Sequence, residues 1–108
     1  MLTQTRQEVQ ELAKQATEVQ IFRFTELDKF VHGIHTDNTA CMDMKVDDLP
    51  ERFTGDVQLM CEQEYDDTLL GNSSMCADFE DWYGDKDAKV LVVVLSYESA
   101  EPLSEYWV

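Results

Sequence analysis

The sequence predicts an α+β fold: one small acidic domain over residues 1–108, with elements in the order α-α-β-β-α-β. Three observations carry that reading. Apolar residues recur at helical spacing at the start of the chain, alternate with polar ones in two stretches of its middle, and run unbroken through Val90-Leu91-Val92-Val93-Val94-Leu95 near its end. At 108 residues with 44% apolar content, the chain matches one globular domain with one modest core.

Thr5-Arg6-Gln7-Glu8 fits a capping box, in which a hydroxyl and a carboxylate satisfy the free N–H groups at a helix start. Val9, Leu12, Ala13, Ala16 and Val19 follow at helical spacing, so the first helix is expected over about 3–20. Ile21-Phe22-Arg23-Phe24 either extends that helix or forms a short linker strand. Leu27, Phe30, Val31 and Ile34 predict a second helix over about 26–35, followed by a loop at 35–39. Met42, Met44 and Val46 alternate with Asp43, Lys45 and Asp47, the period of a half-buried strand.

Residues 48–56 contain Pro50 and Gly55 and read as a connection. Val57, Leu59 and Cys61 then predict a second strand to about Tyr65, antiparallel to the first. A loop at 66–74 leads to Met75, Phe79, Trp82 and Tyr83, spaced for a third helix over 74–83, with Gly84 beyond its end. The β-branched run at 89–97 predicts a central strand covered on both faces. The sheet is therefore expected to have three mostly antiparallel strands, or four if residues 98–108 add an edge, with helices packed on it. Tyr106-Trp107-Val108 is expected to pack back onto the sheet or dock on a partner.

Charge is the sharpest functional signal. Fourteen of the 23 acidic residues fall between Asp43 and Asp87, against three basic ones (Lys45, Arg52 and Lys86), a net of −11 out of −15 for the whole chain. Such a concentration repels itself, and it attracts a cationic surface. The residues expected to do so are Asp43 and Asp47 on the polar side of the first strand, with Asp48 beside them. Glu62 and Glu64 lie on one side of the second strand. Asp66, Asp67, Asp78, Glu80, Asp81, Asp85 and Asp87 come from nearby loops and the third helix. Side chains at i and i+2 on a strand stand about 6.6 Å apart. A rigid acidic face can therefore compete with nucleic acid for a groove of Lys and Arg.

Other chemistries find less support. Nucleic acid and anionic membrane are polyanions that this charge repels. No apolar run reaches the ~20 residues of a membrane span, and residues 2–9 are too polar for a signal peptide. Cys41, Cys61 and Cys76 are an odd number without CxxC spacing, which reads as reduced thiols in a cytoplasmic protein. A calcium loop started at Asp66 places Gly71 correctly but Thr68, Leu70 and Ala77 where ligands are needed. His32 and His35 sit at i, i+3 with no second ligand pair, and read as surface histidines near a helix end. There is no Gly-rich phosphate loop and no nucleophile–base motif, so no cofactor, metal or catalytic residue is assigned.

In size, acidity and mixed α/β pattern the chain resembles the small DNA-mimic inhibitors that phages and mobile elements make against restriction or CRISPR nucleases. The resemblance implies a non-enzymatic inhibitor whose partner is a basic protein, a nucleic-acid-binding protein or nuclease. Those inhibitors share no common fold, so no residue is carried over from them. The alternative is an adaptor or immunity-type subunit recognised through Trp82, Tyr83 or Trp107, with the acid serving solubility.

Overall fold

The computed structural model describes residues 2–24, 40–66 and 87–107. It is a small α+β structure built on one mixed sheet. Its strands are β1 (Leu2–Thr5), β2 (Glu18–Phe24), the two-residue β3 (Ala40–Cys41), β4 (Arg52–Cys61) and β5 (Lys89–Ser96). Three helices join them: α1 (Arg6–Ala13), α2 (Glu62–Asp66) and α3 (Tyr97–Ala100). Two 3₁₀ turns, Val46–Asp48 and Glu101–Tyr106, complete the described elements. The strand order is β1-β4-β5-β2-β3. Only β2 and β5 run parallel, and the other three pairings are antiparallel. Among the described residues no helix is long and apolar enough to cross a membrane.

The β-branched run lies where its composition requires. β5 is central, flanked by β4 and β2, and each residue from Val90 to Leu95 is at most 1% exposed. Alternate β5 residues feed two cores. Leu91, Val93 and Leu95 join Val9 of α1, Ile21, Met42, Leu49, Phe53 and Ala100 on one face. Val90, Val92 and Val94 join Phe22, Met60, Tyr65 and Ala88 on the other.

Several expectations are corrected. Thr5 does cap a helix, its Oγ1 accepting from the Glu8 N–H at 3.2 Å, but residues 2–5 form a strand and the helix ends at Ala13. Gln15 and Ala16 close it with short-range bonds to Leu12 and Ala13, and the Thr17 N–H already bonds to Lys89 across the sheet at 2.7 Å. The Ala16 and Val19 spacing is compatible with a helix. However, seven consecutive pairings with β5 draw residues 18–24 into the sheet.

The expected strand at 42–46 is not formed. Met42 bonds to the Ile21 carbonyl at 2.9 Å, and the backbone then leaves the β2 edge and turns through the 3₁₀ segment. Residues 42–46 therefore do not pair with 57–65. The strand expected at 57–65 instead starts at Arg52 and stops at Cys61, where α2 begins. Gly55, read as a connector, is a strand interior: a Cβ there would overlap the Val94 carbonyl oxygen, and glycine lets β4 close onto β5. The end of the chain folds back as a helix and a 3₁₀ turn, with Trp107 bridged antiparallel to Met42. The helices expected at 26–35 and 74–83, the loop at 35–39, His32, His35 and the Gly71 region lie outside the described residues.

Candidate partner-binding surface

The acidic segment that follows Met42 is fastened by short-range and long-range bonds. The Asp43 N–H donates to the Tyr106 carbonyl at 2.6 Å. Two residues on, Lys45 and Asp48 close the 3₁₀ turn, with the Asp48 N–H bonded to the Lys45 carbonyl at 3.0 Å and the Lys45 N–H bonded to Asp48 Oδ2 at 3.3 Å. Gln10 of α1 reaches across to Asp47, its Nε2 donating to Oδ1 at 2.9 Å. Arg6 secures the end of the turn by donating to the Leu49 carbonyl at 3.1 Å, and the Leu49 side chain is buried in the core. Met42 and Leu49 anchor the two ends in the core, and Met44 and Val46 pack against it in between.

Asp43, Asp47 and Asp48 are all exposed. Their field is felt by neighbours. Tyr106 titrates above the ordinary phenol range, chiefly because of the Asp48 charge, with burial and then Glu105 adding to it. Cys41 is raised above the ordinary thiol range by burial first and by Asp43 second, against a lowering backbone hydrogen bond at Met42. Among the described residues the only ion pair is the exposed Lys14–Glu11 contact at 3.1 Å, so none of the described cations is paired with these carboxylates.

The remaining predicted residues are placed elsewhere or not described. Glu62 and Glu64 are not on a strand but in α2, and Asp66, expected in a loop, ends the same helix. Exposed Glu64 accepts from the Cys61 thiol at 3.2 Å. Asp87 is exposed just ahead of β5. Glu64 and Asp87 flank Tyr65 and Ala88, which belong to the core on the sheet face opposite the one that Asp43, Asp47 and Asp48 border. Asp67, Asp78, Glu80, Asp81 and Asp85 lie outside the described residues, as do Trp82 and Tyr83. The structure thus brings together Asp43, Asp47 and Asp48, and adds Glu105 through Tyr106. Glu105 was missed because it is far from that segment in sequence; its position beside the flagged Tyr106-Trp107 pair was the available hint.

Beside this surface stands a cluster of Arg23, Tyr97 and Trp107. Ile21 and Arg23, two apart on β2, share a sheet face. The Arg23 guanidinium carbon lies 3.7 Å from the centre of the Trp107 ring and 5.1 Å from that of Tyr97.

No family model, curated protein or solved structure matches the chain. Among the described residues no group of three His, Cys, Asp or Glu side chains converges on a metal position. An open groove of about 530 Å³, lined by Thr5, Arg6, Gln7, Gln10, Glu11, Glu51 and Arg52, pairs two arginines with two glutamates and so presents no net charge.

Proposed function

We propose that the protein is a non-enzymatic inhibitor that covers the cationic nucleic-acid-binding surface of a partner protein, in the manner of the phage and mobile-element DNA mimics. The observation that supports this is the state of Asp43, Asp47 and Asp48: exposed, without ion pairs among the described residues, and held on a turn that hydrogen bonds fix to α1 and to Tyr106. Fixed charges lose little conformational freedom on binding, so their attraction is not offset by ordering. Glu64, Asp87 and the acids outside the described residues would extend the contact.

The test is displacement of fluorescent duplex DNA from a panel of restriction and RNA-guided nucleases. A target loses its DNA at low salt, and the competition weakens steeply as salt rises. Replacing Asp43, Asp47 and Asp48 by lysine slows association by about tenfold or more, with a smaller effect on dissociation. If no nuclease releases DNA, or if competition is the same at low and high salt, the reading fails. The adaptor reading keeps one point in its favour, the exposure of Tyr97 at 38%.

A further inference from the structure

The chain from Tyr97 to Trp107 leaves the end of β5 and returns to the sheet beside β2. Its start is tied down. Ser96 Oγ accepts from the Ser99 N–H at 3.3 Å, Ser99 Oγ accepts from the Thr54 N–H of β4 at 3.0 Å, and Ala100 is buried. Its end is tied to the acidic segment. Trp107 bridges to Met42, and the Tyr106 carbonyl accepts from the Asp43 N–H at 2.6 Å. The first and last side chains of this excursion meet over Arg23. The guanidinium carbon lies 3.7 Å from the Trp107 ring centre and 5.1 Å from that of Tyr97, and the two ring centres are 5.7 Å apart with the planes inclined by 50°.

Arg23 belongs to β2, where it pairs with Leu95 of β5 and Ala40 of β3, so the cation under the two rings is carried by the sheet itself. A guanidinium over an aromatic face is attracted by the ring's quadrupole. That attraction pulls Trp107 onto β2, and the backbone bonds at Met42 and Asp43 pass the hold on to the acidic turn. A segment fastened by a few such contacts can open without the rest of the fold.

We propose that Arg23, Tyr97 and Trp107 form a clasp that opens and closes separately from the sheet, and that Trp107 is a positioning residue for the acidic surface. With the clasp closed, the Asp43 backbone is fixed beside Tyr106; with it open, the spacing of Asp43 from Asp47 and Asp48 is no longer fixed. The purpose given to the clasp rests on the reading of the acidic surface above, whereas its existence does not.

Amide hydrogen exchange at neutral pH tests the clasp in the intact protein, because the Asp43 N–H exchanges when its bond to Tyr106 breaks. It is expected to exchange at least about tenfold faster than the Val93 N–H of the central strand, which waits for the sheet to open. Arg23→Met keeps the stem and removes the cation; it is expected to speed exchange at Asp43 by about threefold or more. Arg23→Lys puts a cation back over the rings and is expected to return that rate to within about twofold of the original. Val92→Ala, in the core on the opposite sheet face, is expected to speed exchange at Val93 by about threefold or more and to leave Asp43 unchanged. An Asp43 N–H that ignores Arg23→Met, a Lys variant that behaves like the Met one, or an Asp43 rate that follows Val92→Ala overturns the clasp and leaves the acidic-surface reading standing. For a nuclease that the chain does inhibit, Arg23→Met is expected to weaken inhibition by about threefold although it makes the chain more negative; unchanged or stronger inhibition overturns the positioning role. Exchange as expected in a chain that displaces DNA from no nuclease upholds the clasp and overturns the acidic-surface reading.

Discussion

In β5, residues Val90 to Leu95 are buried on both faces of the sheet, whereas in the segment from Asp43 to Asp48 each charged side chain is exposed and the backbone is held by a few bonds to α1 and Tyr106. The first region gains its stability from removing apolar surface from water. The second packs Met44 and Val46 partly against the core and carries its charge on the exposed residues between and beside them. If the acidic residues bind a partner as proposed, stability and recognition reside largely in separate side chains, and each can be changed with little effect on the other.

The strongest challenge to that division is a large-to-small change in the first region. Leu91→Ala, at a fully buried site, is expected to lower unfolding free energy by about 2–5 kcal/mol in urea denaturation. Association of the remaining folded protein with a cationic target should be unaltered; a loss of on-rate would show that the two regions are coupled. Gly55→Ala is expected to cost about 1–3 kcal/mol, because the added methyl must push β4 from the Val94 carbonyl. A neutral result would mean that the two strands do not approach as described.

The smallest effect belongs to the acidic segment. Asp48→Asn is expected to change stability by less than about 0.5 kcal/mol, as surface substitutions usually do. It should still lower the Tyr106 pKa toward the ordinary phenol value, read as tyrosinate absorbance against pH, because Asp48 is the main cause of the upward shift. The sign follows from linkage. A group that holds its proton more tightly when folded contributes stability that is present below about pH 10 and is lost as pH rises through the raised value. Asp48→Asn should flatten that alkaline loss, and an unchanged titration would separate Asp48 from Tyr106.

These contrasts also explain what could be read in advance. The core strand was legible because a β-branched run with no polar break suits only a position buried on two faces. The helix start was legible because a cap is a local device, complete within Thr5 to Glu8. The helix end was not, since β2 exists through pairing with residues some 70 positions away, as in the Thr17–Lys89 bond across 72 positions. Alternation at Met42, Met44 and Val46 promised a strand, yet after Cys41 the backbone bonds turn to Ile21 and then to Tyr106, and no strand neighbour remains. Val57 to Cys61 shows the same alternation and is a strand because β5 lies beside it. The acidic signal was legible as a total charge. Its division between Asp43–Asp48 and the Glu64–Asp87 side, like the arrival of Glu105, depends on how distant segments meet.

The position of β5 bears on how the molecule is made. It separates β4 from β2, and it is the last of the strands to leave the ribosome. Until residue 96 has emerged, β1 with β4 and β2 with β3 are two ribbons, each with an open flank where the final strand belongs. Pairing over such long sequence distances slows folding. Between residue 61, where β4 ends, and residue 96, where β5 ends, the described strands of a growing chain are two unjoined halves, and that state ends when β5 inserts between them.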